Sequence, residues 1–386
     1  MNYALLYQWE ELLSAHLPGF NSWQRANVAL LSYGIMQAEN CQQRQVAKAV
    51  SCGERVESAA RRWRRFLDND RLELSRFFED RSRWVIGGLG CRAITLVVDE
   101  TKVHDRMAVM MVGLAWEGRC LPLVWRVYRA NSAADYPVEG QVAMIAGLLQ
   151  QIKAGIGEQT AVLVLADRGI GTSPALCRAV DALGWRYLFR VTCQTKIITA
   201  DGAQTIAQQV RPGEIWAAQG EAFKQRGRIP AHARALWSVG YTQPWALVTN
   251  DERLTGYEYA RRNWQEQSFR DLKSGGWLWG TGRIRHADHM ARLLLLLALA
   301  YVWTVALGSQ AVAMGRGYPL VKRAHGVPRR LWSSSVKAYA FLLRLLNVIP
   351  SVLISSLSLI TVLPENMSSP QPVDGGREDS RARGIC

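Results

Sequence analysis

The chain lacks a cysteine framework. Its seven cysteines, Cys41, Cys52, Cys91, Cys120, Cys177, Cys193 and Cys386, are odd in number, and no two are spaced as CxxC or as zinc ligands. That argues against a disulfide-stapled secreted scaffold and a zinc ribbon, and it suits the reduced thiols of a cytoplasmic protein. The N-terminal stretch MNYALLYQWEELL has no basic leader and no small-residue cleavage site, so no signal peptide is expected. The most apolar run, LLLLLALAYVWTVAL from Leu293 to Leu307, is shorter than the ~20 residues of a membrane span and reads as a buried helix. Acidic residues are also scarce: 32 Asp and Glu stand against 47 Lys and Arg, a formal charge of +15. Such an excess suits a polyanionic partner, nucleic acid first, because each cation placed on a phosphate releases a counterion. An anionic membrane, or a protein that is merely basic and soluble, would carry the same charge.

With 386 residues the chain is long enough for two or three domains. Residues 1–90 read as helical and arginine-rich. Inside them CQQRQVAKAV, the turn SCGE and RVESAARRWRRFLDN follow one another like a helix-turn-helix. On the second helix Val56, Ala60, Trp63 and Leu67 form an apolar stripe, while Arg55, Ser58, Arg61, Arg62 and Arg65 fall opposite. That arginine face is either a solvated surface or a phosphate-binding one, and the absence of acids on it favours phosphate.

From residue 91 the texture becomes β. AITLVVDE, MAVMMVGLAW and LPLVWRVYR read as an antiparallel meander, followed by a helix over 138–153, a strand AVLVLAD, a helix over 174–183 and a strand WRYLFRV. The order βββαβαβ predicts an α/β layered core. Residues 192–250 hold short β-like pieces (KIITA, IWAAQ, RALWSVG, WALVTN) and read as a β-rich insertion. Helices are expected over 258–273, 293–307 and 336–346. The core's second part is set at 251–310, a helical C-terminal region at 311–365 and a disordered tail at 366–386.

Asp99 and Asp167 each end an apolar strand (LVVDET, VLVLADRG). Strand ends are where α/β sheets carry their sites. Two carboxylates close together in a sheet repel, and a divalent cation relieves that; oxygen ligands with no Cys or His cluster nearby suit Mg²⁺ or Mn²⁺. Either Asp, taken alone, reads equally well as a turn residue or a helix N-cap. A third element, YARRNWQEQSFRDLK, holds Tyr259, Arg262, Glu266 and Lys273 at steps of three, four and seven, one helical face on which Arg270 also falls. One acid among bases and an aromatic suits a phosphate-handling metal site; the plain alternative is an exposed helix with ion pairs.

These four residues fit Y-x2-R-x3-E-x6-K, and by that pattern the chain resembles the YREK subgroup of the insertion-sequence-four family of bacterial DDE transposases. VVDET is similar to that family's first-Asp strand, DRG to its second-Asp motif, RRWRRFLDN to its arginine-rich helix and KRAHGVPRRLWSSS to its basic C-terminal stretch, over about residues 40–350. The resemblance implies an RNase H-like mixed sheet with flanking helices, a β-rich insertion and an all-helical N-terminal DNA-binding domain. It implies Asp99, Asp167 and Glu266 as catalytic acids holding two Mg²⁺ or Mn²⁺ ions. Tyr259, Arg262, Lys273, Arg270, Arg55, Arg61, Arg62 and Arg65 become DNA contacts, with a homodimer synapsing two DNA ends. It also implies a nucleoid-associated location. Trp245 matches a tryptophan that stacks on a flipped base, although the 14-residue step to Tyr259 is short for the family, and a core aromatic is the plain alternative. Glu100, next to Asp99, points to the other side of the strand and is expected off the metal, beside Lys102. His104 is expected at the surface, and RHADHMAR (His286, Asp288, His289) as an exposed helix start rather than a metal cluster. A transposase-derived DNA-binding protein without catalysis, and a generic nuclease or resolvase of the same fold, are the alternative functions.

Overall fold

The structure is a computed structural model, and it describes residues 3–51, 55–116, 118–282 and 284–313. Five helices open the chain: α1 (Tyr3–His16), α2 (Ser22–Ala38), α3 (Gln43–Val50), α4 (Val56–Leu67) and α5 (Leu74–Leu89). Their limits follow local chemistry. Asn21 and Gln24 form a reciprocal capping box at the start of α2, and Gly90, in the left-handed region, ends α5. The residues between α3 and α4 that would make the turn of a helix-turn-helix fall partly outside the described set.

The central part runs β1 (Ala93–Val103), β2 (Met107–Trp116), β3 (Arg119–Arg129), α6 (Gly140–Gly155), β4 (Ala161–Ala166), α7 (Arg168–Gly171), α8 (Pro174–Asp181) and β5 (Arg186–Arg190). The predicted βββαβαβ order is present, with the single-turn α7 added. Strands β6 (Lys196–Thr199), β7 (Gly202–Thr205), β8 (Ile215–Ala222), β9 (Ile229–Leu236) and β10 (Trp245–Thr249) follow. All ten belong to one sheet in the order β3-β2-β1-β4-β5-β10-β9-β8-β6-β7. β1, β4 and β5 are mutually parallel, and every other neighbouring pair is antiparallel. The β-rich segment is therefore not a separate sheet. β10 returns to pair with β5, and β9, β8, β6 and β7 extend the edge from there.

Alternation along the strands divides the buried side chains between two cores. Leu96 and Val98 join a large core that includes side chains of α1, α2, α5, α6, α8 and a long helix α10 (Ala287–Ala313). Val97, Leu163, Leu165, Leu188, Leu236 and Leu247 join a smaller one with Tyr259 and Trp264. The N-terminal helices share the large core rather than standing apart; Trp9 stacks on Trp303 of α10 with centroids 4.2 Å apart. Leu293 to Leu297 and Leu299 are each 0 % exposed, so this stretch of α10 is apolar on every side because protein surrounds it. The stretch Ala287–Val305 is long and apolar enough to cross a membrane by composition, yet 83 % of it lies inside the protein.

One predicted helix, over 258–273, takes three forms in succession. Tyr257–Arg262 is a 3₁₀ turn, Asn263–Arg270 is α9, and Asp271–Gly275 is a π turn. Gly256, at φ 99°, turns the chain into it with its α-carbon against Leu236; a Cβ there would come within 2.5 Å of that side chain. The helix expected over 336–346, the basic stretch after Lys322 and the tail from 366 lie outside the described residues.

Candidate active site

β1 supplies the floor of the site. Thr95, Val97, Asp99 and Thr101 point to one face of the sheet, and the Tyr257–Gly275 segment lies over it. Arg261 Nη1 donates to Thr95 Oγ1 at 2.9 Å, Arg262 Nη2 to Asp99 Oδ2 at 3.1 Å, and Lys273 Nζ to Thr101 Oγ1 at 2.6 Å. α9 crosses from there over β2 and β3: Gln265 Nε2 reaches Met111 Sδ, and Ser268 Oγ accepts from the Cys120 amide at 2.7 Å. Gln265, Ser268 and Phe269 of α9 and Leu272 of the π turn after it make one buried stripe. Half of that stripe is polar, so hydrophobic periodicity alone does not reveal which face docks.

The parallel register Val98↔Ala166 sets Asp167 beside Asp99. Asp167 takes up the N-cap reading and also faces the arginine of the site. Its Oδ1 caps α7 by accepting from the Ile170 amide at 3.0 Å, while its Oδ2 lies 3.8 Å from Arg262 Nη2. Glu266, one α-helical turn beyond Arg262 and 45 % exposed, accepts from Arg262 Nη1. One guanidinium thus touches carboxylates from β1, the end of β4 and α9.

The electrostatics follow from this crowding. Asp99 is buried, and burial is the main reason its pKa is pushed up to about 6; Arg262 opposes the rise, and the negative charges of Asp167 and Glu266 add to it. Burial works against the charge of Arg262 as well, but Asp99, Glu266, Tyr259 and Asp167 outweigh it and hold the guanidinium firmly protonated. Its Nε is buried with no hydrogen-bond partner. Burial lowers the pKa of Lys273, and Asp99 partly restores it.

The other anticipated residues are distributed around this centre. Tyr259 is buried and meets Trp245 edge to face, centroids 5.1 Å apart at 74°. Trp245, at the head of β10, packs against the smaller core and remains partly exposed. Arg270 is exposed and makes no ion pair with the three acids among the described residues. Arg55, at the N-cap of α4, and Arg61, Arg62 and Arg65 on the helix are all exposed and join no salt bridge among the described residues. The buried side of α4 is Ala59, Trp63, Phe66 and Leu67, a stripe rotated slightly from the expected one; Ala59 packs with α3, and Phe66 and Leu67 join the large core.

Glu100 faces away from the site as expected, but its partner is the Tyr128 hydroxyl, which donates to Oε2; Lys102 binds Asn131 instead, at 2.9 Å. His104 is exposed, with a ring nitrogen against the Gly280 carbonyl. His289 pairs with Asp68 at 3.1 Å, its ring 5.0 Å from that of His286.

Two features escaped the sequence reading. Arg190 ends β5 one position past Phe189, which pairs with Ala166, so it stands beside Asp167, and its charge is felt at Tyr259. An arginine two residues after a core leucine in an alternating strand was the available signal. Arg119 and Asp271 form a nearly buried ion pair at 2.6 Å, which the Tyr301 hydroxyl joins at 3.0 Å. This pair ties the π turn to β3 and α10, and a separation of 152 residues hides it from local pattern.

Chemically, the centre is three carboxylates, a guanidinium and an ammonium group at one sheet face. The donor set is oxygen only, which suits a hard divalent cation. Among the described residues no three acidic, imidazole or thiol groups already stand in a metal cage; the acids are drawn around the planar fork of Arg262 instead.

No family model and no curated protein matches the chain. Among solved structures, the crystal structure of human ENDOV is similar at 13 % identity, covering 60 % of this chain and 99 % of that one with a TM-score of 0.25. At that score the likeness is too loose to carry a conclusion about fold or function.

Proposed function

We propose that this chain is a DDE-type DNA transposase with an RNase H-like core, cutting transposon ends and joining them to target DNA. The observation that carries the reading is the meeting of Asp99, Asp167 and Glu266 on one guanidinium, from three separate elements. Arg262 and Glu266 belong to the Tyr-Arg-Glu-Lys spacing, and Tyr259 and Lys273 of the same spacing lie on the same face of the sheet. The order β3-β2-β1-β4-β5, with β2 antiparallel to its neighbours, supports an RNase H-like core. The charge of +15 and the exposed arginines of α4 support DNA as partner.

In this reading Asp99, Asp167 and Glu266 hold Mg²⁺ or Mn²⁺, two ions per site. Such ions supply an activated water and charge neutralisation on the leaving 3′ oxygen. Lys273 and Arg262 bind non-bridging phosphate oxygens and restrain the phosphodiester for in-line attack. Trp245, partly exposed, offers an aromatic face beside the cut, with buried Tyr259 packed behind it edge to face. The freed 3′-OH then attacks the opposite strand, giving a hairpin, or target DNA. Two ends must be held together, so a homodimer on DNA belongs to the proposal.

The test is a supercoiled plasmid carrying the DNA that flanks the gene on both sides, where this reading expects inverted repeats. The wild-type protein should nick it in Mg²⁺ and yield joined strand-transfer products, while Glu266→Ala should bind the ends and cut nothing. Cutting by Glu266→Ala would remove the assignment of the acids. Nicking without any joined product would favour a nuclease or resolvase.

A further inference from the structure

Arg262 does more in this structure than wait for a phosphate. Its Nη2 takes Asp99 Oδ2 at 3.1 Å and approaches Asp167 Oδ2 at 3.8 Å, while its Nη1 takes Glu266 Oε1. These are oxygens that a divalent cation would need. A guanidinium and a small divalent cation compete for the gap between these acids, because a cation held there at metal–oxygen distances of about 2.1 Å would stand directly against the positive charge of Arg262. Among the described residues the acids indeed form no ready cage. Lys273 is different: its ammonium group rests on the Thr101 hydroxyl and leaves the carboxylates alone.

We propose that Arg262 is an internal counter-ion that closes the acid cluster to divalent cations while DNA is absent, and that a backbone phosphate draws it away. This rests on the transposase reading for the metal and the DNA, and adds how the two are coupled. Three observations support it. The pose is incompletely satisfied, since Nε is buried with no partner. A phosphodiester can engage the guanidinium in a bidentate fashion. The side chain is 20 % exposed, so incoming DNA can reach it. Cation and DNA then bind cooperatively, each strengthening the other by the same factor. A protein wired in this way stays unloaded until it is on DNA, which limits stray cutting.

The test is Mn²⁺ binding to the full-length protein, read by calorimetry or by the free-ion paramagnetic signal, with no cleavage involved. Arg262→Gln should bind Mn²⁺ at least tenfold more tightly than wild type without DNA, and Arg262→Lys should fall between them. A duplex of the DNA that directly flanks the gene should tighten Mn²⁺ binding to wild type and leave that of Arg262→Gln nearly unchanged. Thermal unfolding establishes that each variant is folded; Arg262→Lys, which keeps the charge, carries the comparison if the glutamine variant is not. Equal or weaker Mn²⁺ binding by folded variants, or the same DNA effect in all three proteins, overturns the counter-ion role and leaves the transposase reading standing. No Mn²⁺ binding by any of them, with or without duplex, overturns the metal reading and this inference together.

Discussion

Replacing Asp99 by Asn should stabilise the metal-free protein, and by an amount that depends on pH. Folding raises the pKa of Asp99 from 3.8 to about 6, chiefly by burial. The folded state therefore binds a proton that the unfolded chain has already released. Below pH 3.8 both states are protonated and there is no penalty; through the window up to about 6 stability falls as pH rises; above 6 the full penalty applies. At about 1.4 kcal/mol per unit, the shift amounts to about 3 kcal/mol. The attraction of Arg262 is already contained in that net shift. Asparagine is a neutral near-isostere of the protonated acid, so Asp99→Asn should recover about 3 kcal/mol at pH 8 and almost nothing at pH 4. At roughly 2 °C per kcal/mol for a large chain, Tm should rise by about 6 °C. The assay is thermal or urea unfolding in chelator at a series of pH values. A variant no more stable than wild type at pH 8, or a difference that does not change between pH 4 and 8, would refute the reasoning.

Three other outcomes are expected. Lys273→Met removes the ammonium group held by Thr101; cleavage should fall by roughly 100- to 1,000-fold with DNA affinity within a few-fold, measured by single-turnover cutting and gel shift. The double variant Arg61→Ala and Arg65→Ala should weaken DNA binding on any sequence and reduce the slope of log K against log salt by about 2, as expected for two lost phosphate contacts. Arg119→Met strands the nearly buried Asp271 carboxylate and should cost about 3–5 kcal/mol in urea unfolding, with much of it regained when Asp271→Leu is added.

Much of the fold could be read from pattern. The β-branched run through Asp99, the second run ending at Asp167 and the apolar 293–307 stretch each became the element expected. What stayed hidden depends on partners distant in sequence. β6, β8 and the end of β9 were visible as short β-like pieces and β7 was not, and that all four prolong the main sheet depends on β10 pairing with β5. The stripe on α4 was drawn from spacing alone, and its rotation toward Ala59 and Phe66 follows from packing against α3 on one side and the large core on the other. Arg190 is an ordinary strand arginine until the β4–β5 register sets it beside Asp167.

Glu266 shows most clearly where sequence reasoning stops. On a uniform helix, steps of three, four and seven put four side chains on one face, and that was the basis for grouping them. The backbone is not uniform, and each step works for its own reason. Tyr259 and Arg262 lie in a 3₁₀ turn, where residues three apart eclipse. Arg262 and Glu266 span the change to α-helix, where four residues bring side chains together. Lys273 lies in the π turn, whose wider winding accompanies the contact of Asp271 with Arg119 on one side and the return of Lys273 to Thr101 on the other. The spacing thus describes a path over β1, β2 and β3 more than it describes a helical face. A chain with the same four residues on a regular helix, lacking Arg119 to anchor Asp271, would lose the hold that brings Lys273 back to β1. In this chain, then, the four-residue signature is completed by two residues outside it, Asp271 and Arg119.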